Sequence, residues 1–273
     1  MNVDLDSCMT AAILIGTDGQ IPDIDLAHSQ ALPEQLENPN IPCIECGGSG
    51  RIKENSWDHH YYGDTTEEKG YLPPACIQAA REKLGEIPMI VQAIGDWDEG
   101  KDHEFEHPEI RTIFSGMLLD VRNVMEQAKE GVALCQKWLA GDYSISPKEE
   151  KWRKMKQEYD ENIENELEKI EFIDTLKGDR TIAYIESPFW GTLREAQKWI
   201  DDDDIVIVKN PDNGKITVAL KPGSSADLKE VCELLNRIDP GWGGPVTGKI
   251  IGSPHRGTKL TLGDVVNVVR LFM

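Results

Sequence analysis

The chain has 273 residues, a length that suits two compact domains, and 39% of them are hydrophobic, enough for real cores without surplus. Its formal net charge of −20 repels DNA and RNA backbones, whose binding rests on Lys and Arg neutralising phosphates, so a long nucleic acid is disfavoured as a partner. A small phosphorylated molecule, drawn in by metal ions and a few Arg side chains, fits the same charge, which also serves solubility.

No stretch approaches the roughly eighteen apolar residues that span a bilayer. The opening, Met1 to Asp6, has neither a basic start nor an apolar core, so neither a membrane span nor a secretion signal is expected. The six cysteines, at 8, 43, 46, 76, 135 and 232, are too dispersed for the disulfide framework of a small secreted domain. Reduced thiols and a cytoplasmic location are the corresponding expectations.

In chain order, residues 7–15 form an apolar run that Ser7 is placed to cap as a helix. A polar stretch runs to about Asn40; Ile41 to Cys46 then reads as a short buried strand stopped by Gly47, Gly48, Ser49 and Gly50. Pro73 and Pro74 open a helix through Leu84, and another runs from about Pro88 to Ile94. Residues 108–140 are predicted helical, with Ile110, Ile113, Phe114, Met117, Leu118 and Val121 at helical spacing.

Residues 147–176 carry Trp152, Met155, Tyr159, Ile163, Leu167, Ile170 and Ile173 on one stripe of a charged helix, which reads as the connection between domains. From Arg180 the texture turns to β: runs at 181–185, 205–208, 216–220 and 247–251, with a turn at Asp212, Asn213 and Gly214. Helices are predicted over 227–237 and 262–272. The expected fold class is α/β: a parallel-sheet domain over 1–145, a linking helix over 146–178, and a smaller mixed α/β domain over 179–273.

Four constellations carry chemistry. Asp4 and Asp6, two apart at what reads as the mouth of a strand, offer oxygen ligands to a hard divalent cation, though acids near a terminus more often cap a helix. Asp58-His59-His60 can converge on a tight loop, one imidazole on metal, the other on a phosphate oxygen, with the acid as orienter. Asp96-Trp97-Asp98-Glu99-Gly100 is a further acidic cluster, able to complete a metal cage or simply be solvated. The richer Asp102-His103-Glu104-Phe105-Glu106-His107 reads mainly as surface. Finally, Gly241 to Gly244, Gly248 to Gly252 and Ser253 to Thr258 form a glycine-rich stretch. Its backbone N–H groups favour anions and its Arg256 can fork onto phosphate; tight turns in a small β domain would explain the glycines alone.

The order of these pieces is more specific than any one of them, and it resembles the DHH phosphoesterase superfamily, whose namesake is Asp58-His59-His60. Ile44-Glu45-Cys46-Gly47-Gly48 and the Asp-Trp-Asp-Glu-Gly stretch are similar to the branch that includes the Myg1-type exonucleases. The C-terminal part looks like the DHH-associated substrate domain. The resemblance implies that Asp4, Asp6, Glu45, His59 and Asp96 or Asp98 hold metal. It also implies that His60, with Gly243, Gly244, His255 and Arg256, meets the substrate, His60 and Arg256 acting on the phosphoryl group.

The implied cofactor is a pair of manganese ions, with magnesium or cobalt as substitutes. The implied activity is two-metal hydrolysis of a small phosphorylated molecule, such as a nucleotide or short oligonucleotide, in a cleft between the domains. A homodimer is left open. Glu45 stands where the family usually has Asp, and the His that many members carry four residues before the first Asp would fall before Met1. The second reading is therefore a catalytically degenerate relative that binds a nucleotide or a partner protein. A third, Cys43-x-x-Cys46-Gly-Gly-Ser-Gly, fits half of the zinc module of DnaJ-like chaperones, but no second Cys-x-x-Cys supplies the remaining ligands.

Overall fold

The computed structural model describes residues 3–22, 31–47, 51–60, 72–221, 223–244 and 247–273. Gly48, Ser49 and Gly50 of the first glycine run lie outside them. The chain divides into two compact units, 1–157 and 158–273.

The first unit is mainly helical. Helix α1 (Leu5–Ile15) is its centre, buried from Asp6 to Ile13. It is followed by α2 (Pro33–Leu36), β1 (Cys43–Ile44) and β2 (Ser56–Trp57). Next come α3 (Ala75–Lys83), α4 (Met89–Asp98), α5 (Glu109–Asp120) and α6 (Val124–Leu139). Helix α1 packs on α3 and α6. The approach to α6 depends on Gly131, where a Cβ would sit 2.7 Å from Cys8 Sγ. Met9, Trp57, Ile94, Ile113, Met117, Trp138 and Trp152 are among the fully or almost fully buried side chains of this core.

Several sequence expectations need correction. The helix-capping group of α1 is the Asp4 carboxylate, which accepts from Ser7 N at 2.7 Å; Ser7 itself is buried inside the helix. Asp4 and Asp6 therefore stand at a helix start and not at a strand mouth. The expected parallel sheet is reduced, among the described residues, to two-residue strands β1 and β2, which do pair in parallel. The 108–140 helix is broken at Val121–Asn123, because the Asn123 side chain accepts from Met125 N and Glu126 N and starts α6 afresh.

Helix α7 (Pro147–Leu167) runs across the division at 157/158. It stops well before residue 176, because β3 (Glu171–Asp174) takes up antiparallel pairing with β4 (Thr181–Glu186). The second unit is a five-stranded mixed sheet in chain order: β3, β4, β5 (Ile205–Lys209), β6 (Ile216–Leu220) and β7 (Ile250–Gly252). Strands β4 and β5 are parallel, joined through α8 (Thr192–Ala196); β5–β6 and β6–β7 are antiparallel. Alternation along the strands splits the core in two. Ile182, Ile205, Ile207, Ile216 and Val218 pack with α9 (Lys229–Ile238) and α10 (Leu262–Phe272). Ala183, Ile185, Val206 and Val208 pack with Ile163, Leu167 and Ala196. Among the described residues no helix is long and apolar enough to cross a membrane.

Candidate metal centre

Glu45 directly follows β1 and His59 lies two residues after β2, at the carboxyl end of this parallel pair, where ligands of α/β folds collect. Glu45 N donates to Trp57 O at 2.9 Å, which continues the ladder for one residue and sets the two side chains side by side. Asp6 reaches the same point from α1, and Asp98 from the last turn of α4.

His59 is the hub. Its Nδ1 lies 3.2 Å from Glu45 Oε1 and 3.9 Å from Asp6 Oδ2, and its Nε2 lies 3.3 Å from Asp98 Oδ2. His60 Nδ1 is 3.4 Å from Glu45 Oε2. Two donor sets result, Glu45–His59–His60 and Asp6–His59–Asp98, and in each the ligand atoms lie within 4.8 Å of one another.

Local structure holds each side chain in place. Both oxygens of Asp6 receive backbone donors from the start of α3, Ala75 N at 2.9 Å and Cys76 N at 2.8 Å. This is a helix-capping role across the fold, and it fixes the carboxylate plane while leaving its other lone pairs for a cation. Glu45 adopts φ of +50°, the left-handed region, which costs a non-glycine residue roughly 1–2 kcal/mol. Asp58, fully buried, stabilises that turn by accepting from Gly47 N at 2.7 Å. Its other oxygen takes His60 N at 2.8 Å and lies 3.2 Å from His60 Nδ1.

The electrostatics are those of a site built around positive charge. Burial pushes Asp6 up to about 8, with the Glu45 charge adding to it and the Cys76 bonds opposing. Burial also raises Asp4 to about 6 against the hydrogen bonds of Ser7, and raises Asp98 despite the neighbouring His59. For His59, burial works against the cation, but the contact with Glu45 and the charges of Asp6 and Asp98 prevail and take it up to about 9. The hydrogen bond to the Asp58 carboxylate raises His60, and the bonds Asp58 accepts from His60 and Gly47 hold it down in spite of its burial.

Close as they are, Glu45 Oε1 and His59 Nδ1 do not meet as a well-formed hydrogen bond, and both are buried without a hydrogen-bond partner. An orphaned buried polar atom costs about 1–3 kcal/mol, more when charged. A divalent cation between these atoms would satisfy both, and oxygen and imidazole donors in this number suit one. The residues present therefore fit the metal that the sequence resemblance implies.

Other sequence candidates lie elsewhere. Asp96 faces away from His59: its oxygens meet Gln92 Nε2 at 3.0 Å and His103 Nδ1 at 2.7 Å. Cys43 and Cys46 are buried, and no metal-capable group among the described residues includes them. Burial pushes Cys46 up to about 11 and raises Cys43 as well, so neither is a ready thiolate.

In the second unit Gly243 bridges to Gly252. A Cβ on Gly244 would stand 2.1 Å from Ile250 O, so packing alone demands glycine there. His255 and Arg256 are exposed, and Arg256 Nη2 lies 3.3 Å from the buried Asp239. A cleft of about 640 Å³ opens between α9 and the glycine-rich stretch, with Lys229, Asn236, Arg237 and Gly244 on its walls. Sequence reasoning missed the Asp6 link to α3 and the Asp96–His103 pair; partners 70 and 7 residues apart leave no local signal.

No family model matches the chain, and no curated protein matches it. Solved structures do. The fold is that of the DHH phosphoesterase superfamily. The chain is similar to the pGpG-specific phosphodiesterase PggH from Vibrio, with a TM-score of 0.56 and 12% identity over 98% of this chain and 95% of that one. It is also similar to the DHH domain of a member of a family of ribosomal proteins, with a TM-score of 0.54 and 13% identity over 98% and 83%. A third is RecJ in complex with Mn2+ from Thermus thermophilus, with a TM-score of 0.54 and 14% identity over 98% of this chain and 50% of RecJ.

Proposed function

We propose that this chain is a metal-dependent phosphoesterase that hydrolyses a small phosphorylated molecule such as a nucleotide or short oligonucleotide. The observation that carries the reading is the pair of donor sets sharing His59, around two buried polar atoms without partners. The hydrolases among the solved structures of this fold, a phosphodiesterase and the manganese-bound RecJ, support the class of chemistry. Asp4, Asp6, Glu45, His59 and Asp98 are assigned to two divalent ions, manganese first. Asp96 is left out, because His103 and Gln92 occupy it.

Such ions, when bound, acidify water and neutralise charge on phosphoryl oxygens. The chain's own contribution is placement. Asp6 is held by the α3 backbone, Glu45 by its strained turn, and His59 by the carboxylates around it. His60, half-exposed and oriented by Asp58, is assigned to the phosphoryl oxygens, where an imidazole N–H would meet the growing negative charge. Arg256, His255 and the Gly243–Gly244 backbone are assigned to the substrate, with Asp239 keeping the Arg256 guanidinium oriented.

Metal content and turnover test this together. Purified protein dialysed against manganese is expected to hold about two ions per chain and to hydrolyse bis-p-nitrophenyl phosphate. His59→Ala is expected to lower both. A chain that binds no divalent ion refutes the reading; one that binds metal and nucleotide without turnover is the degenerate relative instead.

A further inference from the structure

Asp98 is the last residue of α4, a place where helices fray, yet its carboxylate must be presented steadily to His59. The two residues before it are both tied to His103. The Asp96 carboxylate meets His103 Nδ1 at 2.7 Å, and Trp97 Nε1 donates to His103 O at 3.2 Å. A carboxylate can only accept, so His103 Nδ1 carries the hydrogen. The backbone closes the same loop: Lys101 N donates to Asp96 O at 2.8 Å.

The segment that supplies His103 is itself anchored. Phe105 meets Trp97 edge-on at 6.3 Å and Tyr143 edge-on at 5.8 Å, and His107 stacks on Tyr143 at 4.0 Å. The side chain and the carbonyl of one residue thus clamp two successive positions of the final turn of α4. Asp96 and Trp97 are turned to His103, and Asp98 is turned to His59.

We propose that His103 is a positioning residue for the metal centre, holding Asp98 in its ligating position through Asp96 and Trp97. This rests on the metal-centre reading above and adds to it a role for a residue that touches no ligand atom of the centre. A residue that orients a metal ligand typically changes metal affinity by roughly 10–100-fold when removed.

The test is manganese titration calorimetry on the full chain, comparing parent, His103→Ala, His103→Asn and Asp98→Ala, with melting of the chelated proteins alongside. His103→Ala is expected to weaken one of the two ions by roughly 10–100-fold. His103→Asn, whose amide N–H replaces Nδ1–H, is expected to recover most of that loss, a rescue that mere packing by the ring would not produce. If His103→Ala does not fold, Trp97→Phe decides: it removes the indole hydrogen bond while keeping an aromatic ring at that position, and is expected to weaken the same ion by roughly 2–10-fold. Binding within about twofold of the parent in the decisive variant overturns the proposal, and so does an Asn variant as weak as Ala. Loss of an ion in Asp98→Ala with unaltered His103→Ala refutes the positioning role alone. A parent that binds no manganese refutes the metal centre with it.

Discussion

Asp58 offers the sharpest test of how the centre is held together. Its carboxylate is fully buried and serves the Glu45 turn through Gly47 N at 2.7 Å and the His60 backbone at 2.8 Å. In Asp58→Ala the buried Gly47 N–H loses its partner, at about 1–3 kcal/mol. The His60 N–H lies nearer solvent and loses an ordinary bond, about 0.5–1.5 kcal/mol. The sum is roughly 2–4 kcal/mol. For a unit of this size that lowers the melting temperature by about 4–16 °C. Asp58→Asn keeps one acceptor oxygen and is expected to fall about halfway. The assay is thermal unfolding in chelator, followed by tryptophan fluorescence, since Trp57 is the adjacent residue. If the alanine variant melts within about 1 °C of the parent, Asp58 does not support this loop and the reasoning fails.

Three further predictions concern charge, sulfur and substrate. Without metal, Asp6 and His59 should make stability fall as pH rises from about 4 to 9, with both contributing between 6.5 and 8. Asp6, at about 8 in the folded chain against an ordinary 3.8, keeps a proton that the unfolded chain has already released, and that advantage is gone above 8; the bonus from His59, raised from 6.5 to about 9, is lost as the pH passes through 9. Asp6→Asn should flatten that slope in melting curves taken with chelator, whereas added manganese, which competes with protons, should stabilise more as pH rises. A Cys43→Ser, Cys46→Ser double variant should fold with reduced stability and keep its manganese; loss of a tightly bound zinc with unfolding would favour the chaperone-like module. Arg256→Ala should melt near the parent, because its pair with Asp239 is exposed on the Arg side, and should weaken nucleotide binding by about 1.5–3 kcal/mol in calorimetry. Arg256→Lys should recover only part, since an ammonium lacks the planar fork. An unaltered dissociation constant in the alanine variant would place the substrate elsewhere.

Much of this molecule was legible without coordinates. Helical periodicity located α5 and α6 as one stretch, prolines opened α3, and β-branched runs marked β4, β5 and β6, because each signal is local: a side chain's neighbours on its own element decide it. The order of acidic and histidine motifs along the chain likewise carried the superfamily resemblance. Tertiary structure decided what local signals leave equal. Asp96 and Asp98 are chemically alike, but residues two apart on a helix point roughly 200° from each other, so packing had to choose which one faces His59. Ile170 and Ile173 extend the stripe of α7 perfectly well, yet a neighbouring strand edge claimed residues 171–174 for β3. Glu45 shows no sequence sign of a positive φ. That conformation exists because a buried carboxylate from beyond the neighbouring strand, Asp58, is there to hold the next turn of the chain.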